Sequence, residues 1–212
     1  MHINELAAKP QKGQIWIKRV VAEMGGKDAI VVDRDCDLDA AVEGVAVSAF
    51  GYQGQKCSAC SRAIVHEAVY DRFLERLKAR TEKITVGEPD NPANYMGPVI
   101  SAGAKKSIQQ YIDTGKSEGR LLTGGGAAEA DGYFLQPTII ADVDSTARVF
   151  QEEIFGPVLA VAKARDFDHA LQMANDSQYG LTGAIYSNNP AHIEKAREEL
   201  LDADVRQLIL EG

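Results

Sequence analysis

The residue with the clearest chemical potential is Cys57, in the stretch FGYQGQKCSACSR. Small and flexible residues precede this thiol, which predicts a loop leading into a turn rather than a core strand. A thiolate nucleophile needs access from one side and positive surroundings that lower its pKa. Lys56 and Arg62 could supply that charge, so Cys57 is a candidate nucleophile. Free cysteines more often lie buried as small apolar side chains, and that alternative stays open for Cys57 and Cys60.

The spacing of Cys57 and Cys60 also fits a redox pair or half of a metal site. A zinc site needs about four ligands, and neither a second CxxC nor a close histidine pair accompanies this one. We therefore expect no metal centre. Three cysteines are too few for a disulfide framework, so any cysteine chemistry is expected to be thiol chemistry.

Two acidic segments could provide a second reactive group. Glu23 ends an apolar stretch and is followed by MGGK, where the glycines allow a close approach of backbone. A carboxylate at such a strand end could act as a general base. In EEIFGPV, Glu153 and Phe155 flank a Gly-Pro turn, and such a pair suits ribose hydroxyls and a flat ring. The alternatives are that the acidic residues are solvated side chains in turns and that Phe155 is a core residue.

These candidates fall between segments with strand and helix patterns. Strands are predicted at Gly13–Met24, Asp28–Asp33, Arg62–His66, Thr138–Val143, Val158–Ala162 and Gly183–Tyr186. Amphipathic helices are predicted at Leu38–Phe50, Val69–Lys83, Ser101–Glu118, Phe167–Asn175 and Pro190–Leu201. The three glycines at 124–126 lack a following helix start, which predicts a turn. The alternation predicts a layered α/β fold, with a largely parallel sheet and helices on both faces.

Composition narrows the possible partners. The 212 residues include 23 basic and 31 acidic side chains, and the net charge of −8 argues against nucleic acid. No apolar run approaches the roughly 18 residues of a membrane span, and the first residues lack the apolar region of a secretory signal. We expect a cytoplasmic protein with one sizeable domain and no nucleic-acid or membrane partner.

The combination of motifs is more specific than its parts. EMGGKDAIVV, GQKCSACSR and EEIFGPV, with 34 residues from Glu23 to Cys57, resemble the aldehyde dehydrogenase superfamily over about residues 3–201. YFLQPT and NDSQYGLTGAIYS are most similar to bacterial members of the proline-to-glutamate pathway. The resemblance implies the catalytic-domain fold of that family. It also implies NAD-dependent oxidation of an aldehyde, which in this branch is glutamate 5-semialdehyde or its cyclic form.

The resemblance also implies residue roles. In the family a cysteine thiolate attacks the aldehyde, hydride passes to NAD, and a water activated by glutamate hydrolyses the thioester. Cys57 matches the nucleophile and Glu23 the base. Glu153 and Phe155 match the residues that contact the nicotinamide ribose and ring.

Two further roles concern the substrate and the assembly. Lys56 and Ser58 flank the nucleophile, and the resemblance implies substrate-binding roles for both, with Ser58 helping to hold the substrate's carboxylate end. The full-length family is expected to form homo-oligomers.

The resemblance implies a domain organisation. Residues 1–25 are expected to be a remnant linking from a missing nucleotide-binding domain, 26–201 the catalytic domain and 202–212 a non-matching tail. The resemblance implies that the missing domain carries both the cofactor site and an asparagine that completes the oxyanion hole. Little activity is expected of the chain alone, because losing one oxyanion donor costs about 10²–10³ in rate and losing the cofactor domain removes the hydride acceptor. Two alternatives stay open: a non-catalytic fragment that associates with full-length subunits, and a thiol hydrolase or esterase that uses Cys57 without a cofactor.

Overall fold

A computed structural model describes residues 2–128, 132–200 and 207–211, the last range as backbone only. The strands are Asp28–Val32 (β1), Cys60–His66 (β2), Arg120–Thr123 (β3), Thr138–Ala141 (β4), Val158–Ala164 (β5), Thr182–Tyr186 (β6) and Gln207–Glu211 (β7). Within the described ranges they form one sheet with the order β3-β4-β5-β2-β1-β6-β7. β3 is antiparallel to β4, and the other neighbours are parallel.

Helices cover both faces of this sheet. They are His2–Ala7 (α1), Leu38–Phe50 (α2), Glu67–Thr81 (α3), Ala102–Glu118 (α4), Arg148–Gln151 (α5), Phe167–Asn175 (α6) and Pro190–Leu200 (α7). Alternate β1 side chains enter two separate cores: Ile30 and Val32 pack with α2 and α3, whereas Ala29 and Val31 pack with α4, α5, α6 and α7. The predicted fold class is therefore confirmed.

Local sequence sets where the main helices begin. Asp37 accepts hydrogen bonds from the backbone N–H groups of Asp39 and Ala40, which caps α2 directly after β1. Ser101 caps α4 in the same way through the N–H of Ala104. These caps fix the residues at which α2 and α4 begin.

One predicted strand is wrong. The segment Gly13–Met24 forms neither a strand nor a buried element, and Trp16 and Val21 are 70% and 89% exposed. Strand residues gain stability only beside a hydrogen-bonding neighbour and under a covered face. No described strand pairs with this segment, so its β-branched residues stay outside the sheet and exposed.

Other differences lie at element ends and in short elements. The sequence patterns did not predict α1, α5, β3 or β7. The predicted end of α7 at residue 201 lies outside the described residues. The predicted turn at 124–126 contains two glycines with positive φ, Gly124 and Gly125. None of the described helices is both long and apolar enough to cross a membrane.

Candidate active site

The three motifs of the sequence precede three strands that lie side by side. Gly25 and Gly26 come just before β1, Cys57 just before β2, and Glu153 and Phe155 just before β5. These strands are parallel and adjacent in the order β5-β2-β1. Their amino ends therefore meet at one edge of the sheet, which we call the amino edge. Motifs far apart in the chain converge there because of strand order.

Close backbone contacts join the segment before β1 to the Cys57 loop, and that loop to the segment before β5. Gly26 lies so close to the carbonyl oxygen of Cys57 that an added Cβ would collide with it. Gly54, in the nucleophile loop, lies equally close to the carbonyl oxygen of Gly156. Since any other side chain would force these segments apart, glycine at 26 and 54 is a condition for the site.

The loop before Cys57 has an unusual backbone. Tyr52, Gln53 and Gly54 have φ of 53°, 58° and 65° in succession, directly after α2. Residues other than glycine rarely adopt this left-handed region of φ and ψ, and such backbone strain often occurs at functional sites. The run turns the chain sharply, so that Cys57 reaches the amino edge before β2 begins.

The structure separates the two cysteines that the sequence left equivalent. Cys57 is half-buried and belongs to neither core, and no hydrogen bond within the described chain uses its amide N–H. Cys60 is 3% exposed within the core under α2 and α3. Burial, reinforced by Asp28, raises the pKa of the Cys60 thiol to about 12. Of these two cysteines, Cys57 is therefore the one placed for thiolate chemistry.

Glu23 is near the site but not in contact with Cys57. It is exposed and makes no hydrogen bond with any described residue. It precedes Gly26 by three residues, so its Cα lies at most about 11 Å from that of Gly26. The structure thus brings the backbone after Glu23 against Cys57, whereas the Glu23 side chain itself is exposed.

Lys56 and Ser58 line an open cavity beside the nucleophile. Both are exposed, and the cavity of about 310 Å³ extends between α2 and the starts of β1 and β6. The Lys56 Nζ lies 5.9 Å from the centre of the Tyr52 ring. Asp28 contributes to the floor of this cavity, and its Oδ2 has no partner among the described residues.

The two acids of EEIFGPV have different surroundings. The Arg148 guanidinium and the Tyr111 hydroxyl bond Glu152 and lower the pKa of its carboxyl to about 2. Glu153 is half-buried, and its Oε1 accepts a hydrogen bond from the Gly26 N–H at 2.9 Å. Glu153 is therefore the acid that faces the site.

Phe155 presents its ring to solvent at the same edge. It is 44% exposed and has a φ of 55°, which a bulky residue rarely adopts. Its carboxylate neighbour, Glu153, lies over Gly25 so closely that a Cβ there would collide with Oε2. A carboxylate and an exposed aromatic ring thus line one small cleft at the amino edge together with Lys56.

Two buried cations were not singled out as buried groups by the sequence analysis. Lys27 and Arg62 are 1% and 3% exposed. Arg62 donates to the carbonyl oxygens of Lys27, Met173 and Ala174 at 2.8, 3.2 and 3.0 Å. Nothing in the local pattern distinguishes Lys27 from a turn lysine. In the described part of the chain, no group of three or more His, Cys, Asp or Glu could hold a metal ion.

Comparison with known proteins defines the class. The model of the aldehyde dehydrogenase family matches residues 1–205. The chain therefore belongs to the aldehyde dehydrogenase family, as the motifs predicted.

Within the family, the chain is similar to 1-pyrroline-5-carboxylate dehydrogenases. That of Geobacillus thermodenitrificans is 60% identical over 199 residues, covering 94% of this chain and 39% of the relative. That of Bacillus subtilis is 58% identical over 197 residues, covering 93% and 38%. The chain thus spans about two fifths of the length of the curated relatives it matches.

Solved structures give the same picture. A Thermus 1-pyrroline-5-carboxylate dehydrogenase with bound NAD matches with a TM-score of 0.91 at 48% identity, covering 99% of this chain and 40% of the other. Lactaldehyde dehydrogenase from Escherichia coli matches with a TM-score of 0.84 at 35% identity, covering 90% and 40%.

Proposed function

We propose that this chain carries the nucleophile-bearing part of an NAD-dependent aldehyde dehydrogenase that oxidises glutamate 5-semialdehyde to glutamate. The observation that supports this most is the convergence of Cys57, the segment after Glu23, and Glu153 at one edge of the sheet. The names of the relatives and of the Thermus structure support the substrate and cofactor.

Cys57 would perform the first step. Its thiolate adds to the aldehyde carbon, forming a C–S bond, and the carbonyl oxygen becomes an oxyanion. The Cys57 N–H, which has no partner within the described chain, can donate to that oxyanion. Its half-buried position gives the substrate access from one side.

Glu23 would act after oxidation of the adduct. Its carboxylate takes a proton from a water molecule, the resulting hydroxide attacks the thioester carbon, and the Cys57 thiolate leaves. Its exposed position on a segment without described partners leaves it free to approach the thioester once Gly26 is anchored.

The residues at the amino edge fit the cofactor implied by the family. Gly25 has no Cβ, which leaves room for the Glu153 carboxylate above it, and Phe155 offers an exposed ring. Glu153 would hold ribose hydroxyls and Phe155 would contact the nicotinamide ring. NAD, when bound, would supply the hydride acceptor.

Lys56 and Ser58 would recognise the charged end of the substrate. Glutamate 5-semialdehyde carries a carboxylate remote from its aldehyde. A flexible ammonium and a hydroxyl at the mouth of the 310 Å³ cavity suit that group. We expect Lys56 to contribute charge and Ser58 a hydrogen bond.

Protection of Cys57 from alkylation tests this proposal. Glutamate 5-semialdehyde should slow iodoacetamide labelling of Cys57, whereas propanal at the same concentration should protect less. Lys56→Met should remove most of that difference, and Cys57→Ser should abolish the labelled peptide. If neither aldehyde protects Cys57, the proposed nucleophile is wrong; equal protection in wild type would reject the proposed substrate contact.

A second candidate function is association with full-length subunits of the same family. The exposed apolar side chains of Ile15, Trp16, Ile17 and Val21 favour it. Co-purification with a full-length 1-pyrroline-5-carboxylate dehydrogenase, lost in Trp16→Ser, would support this function. A chain that remains monomeric in that mixture would exclude it.

A further inference from the structure

The strained backbone before Cys57 needs support from outside the loop. Residues 52–54 all have positive φ, and such a run persists only where neighbouring groups hold it. At the far end of the loop, the Cys60 N–H donates to the Ser48 hydroxyl at 3.1 Å and β2 begins. The support for the near end must come from elsewhere.

Two glutamine side chains join the near end of the loop to the segment before α4. With its amide in the orientation that satisfies both ends, the Gln53 side chain accepts from the Gly97 N–H at 2.8 Å and donates to the Tyr52 carbonyl oxygen at 3.0 Å. Gln55 Oε1 accepts from the Ile100 N–H at 3.0 Å. Both glutamines are half-buried. The loop is therefore held by two amides that stand two residues apart.

The segment that these amides grip is itself anchored. Met96 and Val99 are 1% and 2% exposed, and each belongs to a different one of the two cores. The Val99 N–H donates to the Tyr133 carbonyl oxygen at 2.9 Å. Within 97–100, Pro98 has no N–H, and the two remaining donors are those that the glutamines use. The glutamines thus hold the loop against a segment that is fixed to both cores.

The position of the Cys57 N–H decides what the loop can do chemically. Acyl transfer to the thiolate places negative charge on the carbonyl oxygen, and the Cys57 N–H, without a partner among the described residues, can donate to it. Such a donor works only when it lies within hydrogen-bond distance of that oxygen. Gln55 stands two residues before Cys57, so a shift of its contact moves this donor.

We propose that Gln53 and Gln55 are positioning residues whose amides clamp the loop onto the segment before α4 and so hold the Cys57 N–H and thiol in the arrangement that acyl transfer needs. Without the clamp, the strained backbone relaxes, and the thiol stays reactive but loses the aligned donor. The role in acyl transfer rests on the proposed function, whereas the two contacts do not.

The ratio of two reactions of Cys57 in the full 212-residue chain tests this role. Acetylation by p-nitrophenyl acetate passes through an oxyanion, whereas alkylation by iodoacetamide does not. Both consume the same thiolate, so the ratio of their rate constants does not depend on the fraction of thiolate. Gln55→Ala should lower this ratio on the order of tenfold, because the donor is displaced. Gln55→Glu keeps an oxygen that accepts from the Ile100 N–H and should restore most of the wild-type ratio.

Three further measurements make the result specific. Gln53→Ala frees the Gly97 N–H and should lower the ratio as well. Gln110→Ala, at an exposed position of α4, should leave the ratio unchanged. Hydrogen exchange at the Ile100 amide measures the contact itself and should be faster in Gln55→Ala than in wild type.

The outcomes separate the clamp from the chemistry. An unchanged ratio in Gln55→Ala or in Gln53→Ala, with acetylation in the wild type, would overturn the inference alone. Unchanged exchange at Ile100 in Gln55→Ala would overturn it as well. A wild type that is alkylated but not acetylated at Cys57 would reject the proposed function, and the Ile100 exchange would then still test the contact.

Discussion

The two ends of β1 carry buried charges in opposite circumstances. Lys27 precedes the strand and Asp33 follows it, and both are 1% exposed. Asp33 accepts hydrogen bonds from the Arg34 N–H at 2.7 Å and the Ser187 hydroxyl at 2.7 Å, and its Oδ2 lies 2.6 Å from His192 Nδ1. Lys27 has no such partner among the described residues.

This contrast shows that the polar groups are satisfied at the carboxyl end of β1 but not at its amino end. Ligands in open α/β sheets usually bind at the carboxyl ends of the strands. Here the carboxyl end of β1 holds a satisfied network, whereas the amino edge holds an unpartnered amine and the strained residues Tyr52 and Phe155. Around β1, the unsatisfied groups and the strained backbone thus lie at the end where the candidate site is proposed.

The largest expected effect is the pH dependence caused by Lys27. Its folded-state pKa of about 7 lies below its ordinary 10.5, so the unfolded chain binds more protons between these values. The free energy of unfolding should therefore rise with pH in that window, by up to about 1.4 kcal/mol per pH unit. Urea unfolding of wild type and Lys27→Met should show this slope in wild type only. If the wild type and Lys27→Met had the same slope, the pKa of Lys27 would not be lowered and its amine would be in contact with water.

Asp33 differs from Lys27 because its charged form is the stabilised one, although stability again rises with pH, in an acidic window. Burial raises its pKa, but hydrogen bonds from His192, Ser187 and Arg34 outweigh that effect and hold the pKa of Asp33 below its ordinary 3.8. Its stabilisation is complete above that ordinary value and is lost as pH falls through the lower folded value. Asp33→Asn should lose about 3 kcal/mol at neutral pH.

A matched control for Asp33 stands two residues further on. Asp35 is exposed and also accepts from the Ser187 hydroxyl, at 3.1 Å. Asp35→Asn should change the free energy of unfolding by less than about 1 kcal/mol. Chemical denaturation measures both variants, and equal losses would show that burial of Asp33 is not the cause.

Gly26→Ala tests the close packing of the amino edge. Its Cβ would collide with the Cys57 carbonyl oxygen and with Asp28, so we expect a loss of about 2 kcal/mol and displacement of the nucleophile loop. Gly183→Ala is the control, because its Cβ would make an ordinary contact at 3.7 Å with the Ala29 carbonyl oxygen. Thermal unfolding of both, with the Cys57 alkylation rate, measures the difference. Similar behaviour of the two variants would remove the packing argument.

The smallest expected effect concerns the helix start after β1. Asp37→Ala removes the cap of α2 and should lower the free energy of unfolding by about 1 kcal/mol. Asp37→Asn keeps an oxygen acceptor and should be nearly neutral. If urea unfolding shows the same loss for both variants, charge rather than capping stabilises this end.

Much of the fold could be predicted from local pattern. The alternation of apolar runs and amphipathic helices, with capping residues such as Asp37 and Ser101, predicts most elements to within a few residues. The strand predicted at Gly13–Met24 is wrong, because a β-branched pattern does not reveal whether a partner strand exists. Short elements such as α5 contain too few residues to show a helical or strand periodicity in their apolar side chains.

The candidate site was predicted by motif but not by geometry. The motifs precede predicted strands, yet only strand order reveals that β5, β2 and β1 are neighbours. The contact of Gly26 with Cys57 and the burial of Lys27 depend on that order. Local sequence contains no signal for either.

Acylation by p-nitrophenyl acetate tests most directly whether Cys57 and Glu23 act as a pair, because this ester gives a thioester at Cys57 without hydride transfer. We predict one acetyl group on Cys57 by peptide mass spectrometry, no such adduct in Cys57→Ser, and a lifetime about 100-fold longer in Glu23→Gln, as loss of a general base implies. Acetylation elsewhere, or an adduct whose lifetime is the same in Glu23→Gln, would contradict the account.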